Sequence, residues 1–255
     1  MLSFPSTALR MRQNAAMSVA HAAPRTARER ARVEITGEIL STARQHLARD
    51  GAAALSLRAI ARDLGMVSSA VYRYVPNRDA LLTMLIIDAY ETIGSTAERA
   101  AVNCDRSDYL GRFLSCCRGV RDWALANPHE YSLIYGSPVP GYAAPAETIA
   151  PAARVPIVLL SILADQTADG SALPAALLDP GVEQSIAPLR EFAGGQVSGD
   201  LLLRGLASWA TLLGTVSLEL FGHLQNVVVE APAERAAFFD HQMRQVAIGL
   251  GLVGS

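Results

Sequence analysis

Apolar residues recur at three- and four-residue spacing along most of the chain, and nowhere do they alternate convincingly as strands do. Arg28 to Arg49 sets Val33, Ile35, Ile39, Leu40, Ala43 and Leu47 on one face, and Asp50-Gly51 stops the run. That spacing predicts a first helix of about five turns. A second run, Leu57, Ile60, Ala61 and Leu64, follows Ser56, whose hydroxyl can cap the open N–H groups of the first turn, and Gly65 closes it. The chain can then reverse within Met66 and Val67. Ser68 or Ser69 is placed to cap a third helix, which carries Val71 and Val75 inward and stops before Pro76.

After Pro76-Asn77, Arg78 to about Ala101 repeats Leu81, Leu82, Leu85, Ile86 and Tyr90 on one side, a long fourth helix that leaves the head and enters the body. Further helices are predicted at about Tyr109 to Asn127, His129 to Tyr135, Ala152 to Gln166, Gly199 to Leu224 and Ala233 to Leu250. Gly136 to Pro151 and the Gly- and Pro-bearing stretches from Ala168 to Pro188 read as loops or short helices. No internal repeat is present, and the fold class is all-α. Three divisions follow: a basic arm over 1–27, a three-helix head over 28–78, and a larger helical body over 79–255.

The arm has no continuous apolar run, so it reads as neither signal peptide nor membrane anchor. The most apolar segment, Leu201 to Leu224, has 14 residues between Arg204 and Glu219, fewer than the roughly 20 a bilayer span needs, so no membrane partner is expected. Small residues Gly205, Ala207, Gly214 and Ser217 interleave with Leu there, and Phe238, Phe239, Met243, Val246 and Leu250 form a stripe in the last helix. Together, about 199–224 and 233–250 offer a candidate homodimer face, or two stripes that pack inside their own chain.

Charge divides the chain in the same place as the helices do. All 22 basic residues are arginine, the better fork for phosphate. Residues 1–78 hold 12 Arg against 5 acids, a balance of +7, whereas 79–255 hold 10 against 19, a balance of −9. A basic head on an acidic body suits a segment built for an anionic polymer joined to one that is not. Three cysteines, Cys104, Cys116 and Cys117, form neither a CxxC pair nor an even set, which argues against a disulfide framework or zinc site and for a reducing cytoplasm. The adjacent pair reads either as small buried helix residues or as a thiol sensor.

Two short helices about a Gly turn, followed at once by a third, make the layout of a helix-turn-helix, with the second helix of the pair short enough to lie in the major groove. Its outward positions are Ser68, Ser69, Ala70, Tyr72, Arg73 and Tyr74, and a Tyr-Arg-Tyr cluster suits phosphate better than a core. Two amphipathic helices of an ordinary bundle would share the spacing but not the cluster. His129 beside Glu130 lacks a third partner for a metal, and there is no nucleophile elbow, phosphate loop or catalytic constellation, so neither metal nor cofactor is expected and an enzyme is disfavoured. A ligand- or thiol-sensing helical module without DNA binding is the other reading.

The segment A-x-x-L-S-L-R-A-I-A-R-D-L-G, followed by A-V-Y-R-Y-V-P-N-R-D-A-L-L, resembles the TetR-type transcriptional regulators over about residues 30 to 80. NPHEYSLIYGSPVPGY from Asn127 and WATLLGTVSLELFGHL from Trp209 are similar to a C-terminal subclass named for a Trp-His-Gly motif, with Trp209 and Gly214 in place and Leu213 where the histidine stands. The resemblance implies a homodimeric repressor whose heads bind a palindromic operator in double-stranded DNA and whose body binds a small-molecule effector. Base and groove contacts would then fall to Val67, Ser68, Ser69, Ala70 and Arg73, and phosphate contacts to Ser56, Arg58, Tyr72, Tyr74 and Arg78. Candidate linings of the effector pocket are Trp123, Tyr131, Tyr135, Phe221 and His223, which join aromatic surface to polar tips.

Overall fold

A capping box opens the first helix of the computed structural model, which describes residues 26–174, 176–193 and 197–252; the expected arm falls outside them but for its last two positions. In α1 (Ala27–Asp50), Thr26 Oγ1 accepts from Glu29 N at 3.1 Å and Glu29 Oε2 accepts from Thr26 N at 2.8 Å. Two otherwise open backbone donors are thereby satisfied reciprocally. A 3₁₀ turn (Ala52–Ala54) leads to α2 (Leu57–Asp63), where Ser56 Oγ accepts from Ala59 N.

Gly65, at φ 66°, ends α2 with a paired closure: Gly65 N bonds Arg62 O at 3.1 Å and Met66 N bonds Ala61 O at 2.8 Å. This reversal sets Val67 in extended backbone, and α3 (Ser68–Val71) starts at once with Val67 as its N-cap and no side-chain cap. The expectation that Ser68 or Ser69 caps this helix is therefore corrected: both lie inside it. The turn closes one residue too early for a serine cap. Beyond Val71 the chain tightens, with Arg73 N to Ala70 O and Tyr74 N to Val71 O bonds, and still delivers both Val71 and Val75 fully buried.

α4 (Arg78–Val102) is capped by Asn77, whose Oδ1 accepts from Ala80 N at 2.8 Å. α5 (Tyr109–Ala126), α6 (Pro128–Tyr135), α7 (Ile149–Ala152) and α8 (Arg154–Ala168) follow. The chain continues through α9 (Pro180–Ser185), α10 (Ala187–Phe192), α11 (Gly199–Leu220) and α12 (Pro232–Gly249), and there is no strand among the described residues. α8 starts two residues later than its spacing predicts, with Pro156 in its first turn, where no intrahelical donor is lost. α11 stops at Leu220 rather than Leu224, since Gly222 at φ 78° turns the chain.

By compactness the described chain forms two units, residues 26–92 with 126–152, and residues 93–125 with 153–252, so α4 runs through both. The core of the first is built from Ile39, Leu47, Leu57, Ile60, Val71, Val75, Leu81, Leu82 and Leu85. Each such side chain contributes about 1.5–3 kcal/mol on burial. Leu133, Val139 and Tyr142 pack against the same core, so residues well beyond the three-helix head belong to its interior. Tyr142 Oη and Thr83 Oγ1 add a hydrogen bond at 2.8 Å.

In the second unit α11 packs along α8, with Gly205 letting Leu160 approach and Leu212 and Val216 fully buried. Two bidentate arginine clamps tie α5 to its neighbours: Arg121 to Glu219 at 2.6 and 2.7 Å, and Arg118 to Asp240 at 2.7 and 2.8 Å. A third arginine, Arg154, crosses α4 at Gly94, where a Cβ would come 2.7 Å from the Arg154 Cβ, and grips Glu98 at 2.7 and 2.9 Å. α11 is long and apolar enough to cross a membrane by length and composition, which counting between its charges did not anticipate. Those charges are all paired within the unit, Arg204 with Asp200 and Glu219 with Arg121.

Candidate nucleic-acid interface

α3 and the turn after it bury Val71 and Val75, and Val67, Ser69, Tyr72 and Arg73 between and before them point out. Val67 is 70% exposed and Tyr72 42%, with Ser69 and Arg73 also exposed and Ser68 and Ala70 half-buried. Arg58, on α2, is exposed as well. The other three residues proposed from the sequence are engaged within the fold. Tyr74 lies under the Arg32 guanidinium, 5.5 Å from its ring centre; Ser56 caps α2; and Arg78 donates to Ala52 O at 2.9 Å and Ala53 O at 3.3 Å. A hydroxyl or guanidinium so held can still face a phosphate with its remaining valences, but its first task is to fix the turn ahead of α2.

A part-buried polar contact links α1 to α2: His46, only 3% exposed, brings Nε2 to 2.7 Å from Asp63 Oδ2. The bond holds the Asp63 carboxyl below the ordinary carboxylate range. Arg32 and Arg62 were not singled out from sequence. Arg62 has its side chain 79% exposed in the last turn of α2, and the Arg surplus of the head was the signal that could have raised it.

Of the aromatic residues proposed for an effector, Tyr131 and Tyr135 meet at 5.1 Å between ring centres. Tyr90 of α4, which the sequence reading placed in the helix core, joins them edge-on to Tyr135 at 5.8 Å and donates its hydroxyl to Ile134 O. The Tyr135 hydroxyl is buried with no hydrogen-bond partner among the described residues, and burial pushes it above the usual phenol range. Trp123, Phe221 and His223 belong to the other unit: Trp123 is half-buried in α5, and Phe221 and His223 are exposed just past α11. None of the five lines either of the two cavities described here, one of about 40 Å³ beside the Asp200–Arg204 pair and one of about 110 Å³ beside α6.

On α11 the outward face carries Leu206, Ala207, Ala210, Gly214 and Leu218, with Phe221 just beyond it, while Gly205 is buried and Ser217 half-buried. The stripe predicted on the last helix divides: Phe239, Met243 and Leu250 are buried within the chain, Phe238 and Val246 are half-buried, and Ile248 is 58% exposed. Cys116 and Cys117 are fully buried, and burial raises the Cys116 thiol to about 12 and the Cys117 thiol well above its ordinary value. Thiols so shielded are poor nucleophiles, which weighs against the thiol-sensor reading.

Residues 39–85, from mid-α1 into α4, match the model of the bacterial regulatory proteins of the tetR family, and residues 113–246 match a tetracyclin repressor-like C-terminal domain. The HTH-type transcriptional regulator Rv1816 of Mycobacterium tuberculosis is 38% identical over 219 residues, covering 85% of this chain and 92% of that protein. The chain belongs to the TetR family.

Its all-helical fold agrees. The crystal structure of the regulatory protein SCO4313 shares 33% identity at a TM-score of 0.71, covering 87% of this chain and 98% of that one. The TetR family regulator PfmR from Thermus thermophilus, 16% identical with a TM-score of 0.55, covers 83% and 98% and shares the fold. This TetR-family protein is a DNA-binding transcriptional regulator, of a family whose members bind operators, form dimers and bind small molecules.

Proposed function

We infer that this TetR-family regulator is a homodimeric repressor that leaves a palindromic operator when a small molecule binds its body. The observation that carries the reading is the segment 67–75 around α3: Val71 and Val75 anchor it completely while Val67, Ser69, Tyr72 and Arg73 face outward. Ser68 and Ala70 complete the groove-facing set, and Ser56, Arg58, Tyr74 and Arg78 flank it as phosphate contacts. Arg73 is the best-equipped base reader, because a guanidinium can span the two acceptors of guanine. The exposed apolar faces of α11 and α12, within about 199–224 and 233–250, supply the dimer contact, and two heads then address half-sites about 34 Å apart.

For the effector, Tyr131 and Tyr135 with Tyr90 form one aromatic group within the first unit, and Trp123, Phe221 and His223 are candidates in the second. The ligand acts by population shift: it favours a conformation in which α4 is displaced and the heads no longer match the half-sites. A regulator of this kind works in the cytoplasm and has no catalytic step to perform. Sequencing DNA fragments selected by the purified protein should yield a palindrome. On that operator, Tyr72→Ala and Arg73→Ala each weaken binding by about 1–3 kcal/mol in an anisotropy titration. Selection of no common sequence, or full affinity in both variants, would overturn the reading.

A further inference from the structure

Within the first unit a cleft of about 110 Å³ opens between the end of α1 and α6. Leu47, Ala52, Leu133 and Val139 give it an aliphatic floor, and His129, Ser132 and Ser137 stand around it. Among the described residues no arginine or carboxylate contributes to the lining. An ion entering would lose hydration with only the His129 imidazole to receive it, so the cleft favours uncharged molecules.

Ser132 sets the polarity of what can enter. Its hydroxyl already donates to Pro128 O at 2.8 Å, which leaves its oxygen lone pairs to accept from a ligand O–H or N–H. Size sets the rest: an apolar cavity of about 150 Å³ holds benzene, so a partly open one somewhat smaller suits a single ring or a compact alcohol. We propose that this cleft is a binding site for an uncharged hydroxyl compound of about phenol's size, its hydroxyl on Ser132 and its apolar body against Leu47, Leu133 and Val139. The site is separate from the tyrosine group at Tyr90, Tyr131 and Tyr135, none of which lines it. It also touches the head directly, since Ala52 belongs to the 3₁₀ turn whose carbonyls Arg78 holds ahead of α2.

Phenol itself is the probe, titrated into the full ¹⁵N-labelled chain and followed by amide chemical shifts. Saturable shifts on the amides of 47–52 and 129–139 are expected. Toluene, which lacks the O–H, and benzoate, which is charged, bind at least about fivefold more weakly. Ser132→Ala lowers phenol affinity about fivefold, the scale of one neutral hydrogen bond. Val139→Trp fills the cleft and removes the shifts, and retained amide dispersion elsewhere separates filling from unfolding. Shifts that do not saturate, shifts centred on Tyr90 with none at 47–52, or equal affinity for phenol and toluene with Ser132→Ala unchanged would each overturn the assignment. Because the readout needs no DNA, its outcome is independent of operator binding.

Discussion

Replacing Glu219 by glutamine should cost this fold several kcal/mol although the side chain keeps its shape. Arg121 and Glu219 are each about 10% exposed and share two hydrogen bonds of 2.6 and 2.7 Å. Glu219→Gln leaves the guanidinium buried without its counter-charge. Asp122, 3.8 Å away but 73% exposed, and the Phe239 ring, 5.4 Å beneath, recover only part of the loss. Breaking a buried pair from one side costs about 3–5 kcal/mol, and those two contacts place this case near 3. At about 2–4 °C per kcal/mol for a chain of this size class, the melting temperature falls by about 6–12 °C. Thermal denaturation followed by circular dichroism measures it. The double variant Arg121→Met with Glu219→Leu should return close to the wild-type value, because removing both charges also removes their desolvation. If Glu219→Gln melts within about 2 °C of wild type, or the double variant melts no higher than the single one, the pair does not hold α5 to α11 in the way described.

Gly94→Ala tests the crossing of Arg154 over α4: helix propensity alone favours alanine by about 1 kcal/mol. The close approach to Arg154 reverses the sign, to a loss of about 1–3 kcal/mol in chemical denaturation, and a stabilised variant would refute the contact. With Cys116 raised to about 12 and Cys117 buried beside it, an alkylating reagent at pH 8 should label half-exposed Cys104 alone in the native protein; labelling of the pair before unfolding would contradict their burial. Asp63 and Asp240 are held below their ordinary values by His46 and Arg118, so their stabilisation is complete above the unfolded value of about 3.9 and is lost as pH falls through the lowered folded values. Asp63→Asn should therefore flatten part of the acid limb of a stability–pH curve, and an unchanged limb would count against the His46 contact.

Helix positions in the head were legible because every signal there is local. The run of apolar positions, the Ser56 cap, the Gly65 reversal and the Pro76 break lie within a few residues of what they control, so α2 and α4 start where the spacing puts them. The start of α3 was off by one cap because closure of α2 by Gly65 and Met66 sets the backbone of Val67, an effect of geometry rather than of residue type. The interface residues divide likewise. That Tyr72 and Arg73 face outward follows from Val71 and Val75 facing in, whereas the capture of Tyr74 by Arg32 and of the Ala52 and Ala53 carbonyls by Arg78 depends on residues 25 to 42 positions away. Tyr90 reads as an ordinary core position until Tyr131 and Tyr135 are folded against it.

The sequence alone determined the helical class, the short helix pair about Gly65, the arginine surplus of residues 1–78 and the family, since periodicity, capping and a contiguous motif need no knowledge of what meets what. Tertiary structure decided which apolar stripes are covered. It buried Phe239 and Met243 while leaving Leu206, Leu218 and Ile248 open, and it brought Leu133, Val139 and Tyr142 into the head's own core. It also paired Arg121 with a glutamate 98 residues away. Such contacts join segments far apart along the chain, and whether a stripe is core or surface depends on its neighbours in space, which spacing along one strand of sequence does not encode.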